Sequence, residues 1–429
     1  MEEMALLATL GIVAYARRAD GTQRLDHAGS HASLALRLRF LIACPNLAAG
    51  GPLMRLLAAF ALFVALAPWA RANELEIVNI RVGQGDATLI EGPVDADGRR
   101  VRILFDTGDI SGPDGGALIG ALLAQRGVRE LDYVIISHDD ADHLGGMGQG
   151  GVHGSAFMLG PDGAPGSPGD DDGDGIGDWE GEDPFLVPDA DELGAGDDVV
   201  VRTFVDYGDQ LMRDTDIIAK YRGLAGAMGS RITIADQDDV DSFEIDLGGG
   251  ARMIAMAANG YVRGRGERVA RVNTPNERSL SFLVRYGGFD YLISGDLIGR
   301  RAGREDAEVE LAVGEALAGL GYEIDVLHVN HHGADNTSES RFLELIRPEI
   351  AIISAGNGNS HGHPAAGSLR RLADAGVYRI IQTEWGATRG SVPAYVRARQ
   401  AIYQDDIVIR SDGARYEIST SRTFAVDEE

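Results

Sequence analysis

Residues 133–147 read YVIISHDDADHLGGM, and no other stretch limits the fold as strongly. The run 131–138, LDYVIISH, has apolar residues on both faces of a strand, so it belongs in the interior of a sheet covered on both sides. Yet His138, Asp139, Asp140, Asp142 and His143 follow within six positions, and Gly145 and Gly146 then turn the chain. A buried strand cannot end this way unless its end opens on a rim where such groups are neutralised. The strand must therefore lie beside others that bring matching ligands or a cation.

Other predicted strands end in the same chemistry. VRILFDTGD (101–109) ends at Asp106, and the hairpin SLSFLVRYGGFDYLISGD (279–296) ends at Asp296. IDVLHVNHHG (324–333) ends in His331 and His332, while His361 and His363 follow EIAIISAG (349–356). Ends of neighbouring strands meet along one sheet edge, so these side chains converge, and a cluster of that kind calls for cations. Imidazole and carboxylate without sulfur suit Zn²⁺ or the harder Mn²⁺, as one or two ions. Asp296 is placed to bridge a pair. His328 alternates with apolar residues and reads as a core or tuning residue, and Asp139 as an outward-facing spacer dispensable for activity.

The rest of the chain alternates strands and helices. LEIVNIRVGQGDATLIEG (75–92) gives two strands joined at Gly83–Asp86; helices are predicted at 116–128, 305–321, 338–346 and 365–376; 378–383 is a strand and 405–418 a closing hairpin. Residues 148–272, rich in Gly and Asp with weaker strands at 198–206, read as a long acidic insertion. The pattern predicts an α/β protein of two sheets with helices outside, an αββα four-layer sandwich.

Residues 54–72, MRLLAAFALFVALAPWARA, follow a signal-peptide order: a basic start, a short apolar run, Pro68, and the small-x-small Ala70-Arg71-Ala72. The expectation is a secreted or periplasmic protein of residues 73–429, without a membrane span after processing. Residues 1–53 would be an upstream extension without a fold of its own. It holds the one cysteine, Cys44, so the mature chain would carry no disulfide. Formal net charge is −27. A surface that acidic repels nucleic acid over most of its area, and an anionic substrate needs a local basic patch or a metal. YVRGRGERVARVNTPNER (261–278) offers one, with Arg263, Arg265, Arg268, Arg271 and Arg278 as candidates for a phosphate-binding edge. Nothing in the sequence points to a protein partner.

SHDDADHLGG resembles the H-x-[HD]-x-D-H signature of metallo-β-lactamase-fold hydrolases. The third-position Asp is similar to that of the hydrolase domain of the competence protein ComEC. VGQGDATLIE, ILFDTGD, VNHHGADNTS and SAGNGNSHGHP agree in order, so the resemblance covers about 75–147 and 276–418. It implies that His138 and Asp140 hold a first metal, that Asp142 and His143 hold a second, and that Asp296 bridges. One of His331 and His332 would complete the second site. Asp106 would buttress the histidines without ligating, His363 would contact a phosphate or protonate a leaving group, and Asp86 would position water or a ligand. The family's usual third histidine for the first metal is absent: TPNERS (274–279) offers only Asn276, a poor zinc ligand. The first site is thus expected to be weaker and better suited to Mn²⁺.

The implied activity is that of an exported metal-dependent phosphodiesterase or nuclease using a metal-bound hydroxide. A second reading is a phosphodiesterase on cell-wall or phospholipid head groups, resembling a phosphocholine esterase. A third is a calcium-stabilised extracellular binding protein with a vestigial metal site. The missing histidine argues against β-lactams. The calcium element is DDDGDGIGD (170–178), where Asp170, Asp172 and Asp174 fall at alternate positions, Gly175 allows a tight turn and Asp178 follows, a spacing that resembles oxygen-lined calcium loops. Calorimetric titration should detect Ca²⁺ binding in the millimolar range or tighter, lost when Asp172 and Asp174 are replaced by Ala. A flat titration would remove the calcium role.

Overall fold

Short aliphatic runs bounded by glycine or acidic turns build two sheets. The computed structural model describes residues 13–16, 73–95, 97–109, 115–147, 199–228, 230–269, 272–299, 309–387 and 392–420. The first sheet takes β1 (Val13–Ala16), β2 (Leu75–Asn79), β3 (Thr88–Glu91), β4 (Arg102–Phe105), β5 (Glu130–Ile135), β6 (Val200–Asp206) and β7 (Ser230–Thr233). The second takes β8 (Glu244–Gly248), β9 (Ala251–Ala258), β10 (Tyr261–Val262), β11 (Ser281–Tyr286), β12 (Phe289–Ser294), β13 (Val326–His328), β14 (Ile350–Ile353), β15 (Arg379–Gln382) and β16 (Gln400–Ile402). The chain then returns to the first sheet as β17 (Ile407–Ser411) and β18 (Arg415–Thr420). Strand order is β1-β18-β17-β2-β3-β4-β5-β6-β7 in the first sheet and β10-β9-β11-β12-β13-β14-β15-β16 in the second, with β8 paired to β9.

The period of two sorts each strand of the second sheet between two cores. Phe282 and Val284, Tyr291 and Ile293, and Ile350 and Ile352 face the first sheet, where they meet Ile77, Leu89 and Phe105. The residues between them, Leu283, Leu292, Ala351 and Ile353, face outward onto Val313, Leu317, Phe342 and Leu369. Those outer residues lie on helices α6 (Val309–Gly319), α7 (Ser340–Ile346) and α8 (Ala366–Asp374). On the far side of the first sheet, α1 (Gly115–Gln125) and α3 (Asp216–Met228) supply Ile119, Leu123, Ile218 and Tyr221. The αββα layering expected from the sequence is therefore present. Covering on both faces explains why β3, β12, β13 and β14 are buried throughout.

The stretch set apart as an insertion, 148–272, contributes more than a loop. β6 pairs in parallel with β5, and β9 pairs with β8, β10 and β11. Its strand ARMIAMAA buries mostly alanine and methionine, which lack the β-branched signature that marks strands in a sequence. Residues 148–198, with the calcium element, lie outside the described residues. So does the signal segment 54–72. β1 falls within the stretch read as an extension and pairs with β18, Val13 opposite Ile418. Among the described residues no helix is long and apolar enough to cross a membrane.

Parallel β4–β5–β6 and β12–β13–β14–β15 point their carboxyl ends at one rim, the edge where ligands bind in open α/β sheets. Two glycines let the backbones close there. A Cβ on Gly295, just after β12, would stand 2.3 Å from Ser137 Oγ, and one on Gly146 would stand 2.0 Å from the Thr107 carbonyl oxygen. The turn after β13 is pinned from behind by Glu310 of α6. Its carboxylate accepts from Asn330 Nδ2 at 2.9 Å, Ser338 N at 2.8 Å and Glu339 N at 3.1 Å.

Burial pushes Glu310 up to about 7, against the donors that favour its charge. Its ordinary value is 4.5, so the folded chain holds the extra proton between the two. The group's contribution to stability is then greatest below the lower value and declines as pH rises through the higher. Replacing Glu310 by Gln removes this dependence. Between pH 4.5 and pH 8 the stability of the variant relative to wild type should rise by about 3 kcal/mol in urea unfolding. A pH-independent difference would contradict the assignment.

Candidate metal centre

Asp106 begins the construction. It follows β4 at φ 59°, a left-handed turn that Asp tolerates better than most residues. The turn sends its carboxylate under the end of β5. There it accepts from Ser137 N at 2.7 Å, from Ser137 Oγ at 2.6 Å and from His143 Nδ1 at 2.8 Å. A carboxylate at Nδ1 places the proton there and leaves Nε2 of His143 as the outward lone pair. That nitrogen stands 3.1 Å from Asp296 Oδ1. Asp140 precedes the one-turn helix α2 (Ala141–Leu144) without a side-chain capping bond, and the helix carries Asp142 and His143.

His331 and His332 form the turn after β13, at φ 50° and 51°. Left-handed backbone at two successive imidazole residues costs about 1–3 kcal/mol each, and Glu310 and the β14 end hold it. His332 Nδ1 donates to the Ser354 carbonyl at 3.0 Å, which again frees Nε2. That atom lies 3.2 Å from Asp142 Oδ2 and 3.7 Å from Asp296 Oδ1.

The two oxygens of Asp296 thus face different companies. Oδ1 faces His143 and His332. Oδ2 faces His331 Nε2 at 3.4 Å, His138 Nε2 at 3.7 Å and Asn276 Nδ2 at 3.2 Å. His138 Nε2 also stands 3.3 Å from Asp140 Oδ2. Ligand atoms of Asp86, His143, Asp296 and His332, all buried, lie within 4.8 Å of one another. His138 Nε2, His143 Nε2, Asp296 Oδ1 and both carboxylate oxygens of Asp86 are buried without a hydrogen-bond partner.

The electrostatics agree. Burial opposes charge on His332, but Asp86, Asp296 and Asp142 outweigh it and push the ring up to about 10. His143 is raised well above its ordinary value by Asp296 and Asp106, again against burial. Burial also opposes ionisation of Asp296 and Asp142, yet the imidazoles hold both carboxyls well below the usual range. The cluster draws positive charge to its centre. A divalent ion meets that demand and displaces the protons, and imidazole nitrogens with carboxylate oxygens and no sulfur are the donor set for one. A cavity of about 500 Å³ opens beside it, lined by Asp140, Asp142, Asp296, His331, His332 and His363 among others.

Residues 80–150 match the family model of the metallo-beta-lactamase superfamily, a stretch that spans Asp86, Asp106 and the whole His138–His143 segment. In that stretch the chain is similar to the metallo-β-lactamase superfamily. Among curated proteins it is 30% identical over 113 residues to ComE operon protein 3 of Bacillus subtilis (strain 168), covering 26% of this chain and 13% of that protein. It is 30% identical over 125 residues to competence protein ComA of Neisseria gonorrhoeae, covering 28% and 17%. The matched stretch therefore spans less than a fifth of either relative. A solved structure described as a new diphosphatase from the PhnP family aligns at TM-score 0.34 and 12% identity, over 79% of this chain and 98% of that one.

The fold brings together most of the residues singled out from the sequence. His138, Asp140, Asp142, His143, Asp296, His331 and His332 share one rim, with Asp106 behind them, Asn276 against Asp296 and His363 on the cavity wall. Of the histidine pair, His332 belongs to the group around Asp296 Oδ1 and His331 to the group around Oδ2. Asp86, expected to position water or a ligand, lies inside the buried cluster, with His328 Nε2 at 3.3 Å from its Oδ1. His328 therefore stands beside a cluster carboxylate, while its Nε2 lies within hydrogen-bond distance of Ser354 Oγ at 3.2 Å.

Two expectations are corrected. The arginine edge does not face the cavity. Arg263 Nη1 donates to the Val240 and Ala255 carbonyls at 2.6 and 3.0 Å, and Arg265 pairs with Glu315. Arg268 lies over the Tyr261 ring at 4.9 Å, and Arg278 Nη1 donates to the Leu211 carbonyl at 2.5 Å. Carbonyls, an acid and a ring have already taken these cations; Arg271 lies outside the described residues. Asp139, read as an outward spacer, is 1% exposed. It accepts from the Tyr207 hydroxyl, from Arg213 N at 2.8 Å and from Arg213 Nε at 3.0 Å. Nothing in HDDADH marks it as the inward one, because its partners come from the strand end of β6 some 70 residues on.

Asp139→Ala strips a buried hydroxyl and an arginine of their acceptor. It should destabilise the domain by about 3 kcal/mol in urea unfolding, and a change within about 0.5 kcal/mol would contradict the anchoring role.

Proposed function

We propose that this metallo-β-lactamase-superfamily hydrolase is an exported phosphodiesterase. The observation behind the reading is the division of Asp296, whose two oxygens face two imidazole groups beside an open cavity. His143, His332, Asp86 and Asp142 would hold one ion with Oδ1, and His138, Asp140 and His331 a second with Oδ2. Such ions, when bound, acidify water and draw charge from phosphoryl oxygens. The oxygen-rich donor set admits Zn²⁺ or Mn²⁺.

The chain's own residues do the positioning. Asp106 and the Ser354 carbonyl fix the tautomers and tilt of His143 and His332. His363 is pushed down to about 4 by burial and by His332 and His331. It is neutral at ordinary pH, so it serves as a hydrogen-bond donor to a phosphoryl oxygen or as a proton acceptor, not as a resident acid for the leaving group.

The substrate follows from charge and size. Among the described residues the arginines of 261–278 are engaged elsewhere, and those lining the cavity form no basic track for a long polyanion. A compact diester, such as a phospholipid or cell-wall head group, suits the site, and so does the end of a single-stranded nucleic acid. Export rests on residues 54–72 alone and would be checked by sequencing the N-terminus of the secreted protein.

Purified protein with Mn²⁺ or Zn²⁺ would be offered bis-p-nitrophenyl phosphate, p-nitrophenyl phosphorylcholine and single-stranded DNA. Hydrolysis of at least one is expected, with kcat reduced by about two orders of magnitude or more in Asp142→Ala. Turnover on none, or turnover that survives the substitution, would favour a binding protein with a vestigial centre.

A further inference from the structure

Arg213 comes from the segment between β6 and α3, a stretch with no motif to mark it. Among the described residues lining the cavity it is the only arginine or lysine, set among Asp139, Asp140, Asp142 and Asp296. Its side chain is 47% exposed. Its backbone and Nε are held by the buried Asp139 carboxylate, at 2.8 and 3.0 Å, and Nη2 donates to the Asp139 carbonyl and to Asp140 Oδ1, the latter at 2.5 Å. The Tyr207 hydroxyl braces Asp139 from the other side. Nη1 takes part in none of these bonds.

A guanidinium needed only to neutralise Asp139 would be buried with it. This one is clamped on its Nε and Nη2 side and left half in the open at the wall of the site. Clamping removes the rotamer freedom that makes an exposed arginine a weak anion ligand. The remaining donors lie beside Asp140, at the group around Asp296 Oδ2 where the sequence offers Asn276 in place of a histidine.

We propose that Arg213 is the anion-recognising residue of this site: its Nη1 edge, outside the bonds that the described residues make to Nε and Nη2, binds a non-bridging oxygen of the phosphoryl group, with Asp139 and Tyr207 as its positioning residues. The proposal rests on the phosphodiesterase reading for its substrate. It makes the positive side of the cavity a composite, imidazole-held metal on one flank and a fixed guanidinium on the other. It also gives the buried Asp139 a function, since its carboxylate and carbonyl, together with Asp140 Oδ1, set the guanidinium's direction.

Three variants test it. Arg213→Ala removes the group, Arg213→Gln keeps a donor for Asp139, and Arg213→Lys keeps the charge without the fork. In Ala and Gln, KM for bis-p-nitrophenyl phosphate should rise by about tenfold or more, the worth of one charge-assisted hydrogen bond, while kcat changes far less. Calorimetry with inorganic phosphate on the metal-loaded protein should show a parallel loss of affinity, with partial recovery in Lys. Metal per chain, by mass spectrometry, should match wild type, and thermal unfolding of the Gln variant should show a folded chain. Unchanged KM and phosphate affinity would overturn the proposal. So would loss of metal in step with loss of affinity, which would reduce Arg213 to a support for Asp140, and so would wild-type protein that binds no phosphate. Should wild type bind phosphate yet hydrolyse no phosphoester, the phosphodiesterase reading fails, and the phosphate titration alone still decides Arg213.

Discussion

Three carboxylates without access to solvent, those of Asp86, Asp106 and Asp296, sit at one rim among the rings of His138, His143 and His332. Charges so placed are tolerable only when each is paired or shares a cation. Asp106 is satisfied by protein donors alone, two from Ser137 and one from His143. Asp86 and Asp296 are not, and their unpartnered oxygens point to the same centre as the free nitrogens of His138 and His143. The fold is arranged around that imbalance. Parallel strands deliver the ends, and glycines at 146 and 295 let the ends approach.

The arrangement is held by backbone that a less constrained protein would avoid. Asp106, His331 and His332 all adopt positive φ. Each is locked from behind: Asp106 by its bonds to Ser137, the histidine turn by Glu310 and the Ser354 carbonyl. Strain of this kind persists where the surroundings over-determine it, and it tends to mark sites that must present side chains in one direction. The supporting layer also accounts for polar residues far from the cavity. Glu310 lies on a helix of the outer layer, yet its three acceptor contacts reach the turn and the loop that carry the centre.

Much of this was legible in the sequence because it is local. YVIISHDDADH shows a buried strand and its terminal ligands within a dozen residues, and NHHG and SGD do the same for β13 and β12. The layering followed from strands alternating with helices. What the sequence hid was relational. Asp139 and Asp140 are neighbours in sequence, but only contact with Tyr207 and Arg213 reveals that one is an anchor and the other faces the cavity. The arginines of 261–278 look like an anion site until their carbonyl, acid and aromatic partners are known. β9 escaped notice because alanine and methionine fill it, and Asp86 came into view only through the family resemblance, because a single acid in VGQGDA carries no spacing signal.

If the buried acids and imidazoles hold metal, the better-assembled half of the centre is the group around Asp296 Oδ1. Elemental mass spectrometry of the purified protein after dialysis against metal-free buffer, for wild type and for Asp296→Ala, tests it most directly. One firmly retained divalent ion per chain is expected, with any second ion exchanging readily and both lost in the variant. Wild-type protein that retains no divalent ion, or an ion content untouched by Asp296→Ala, would contradict it.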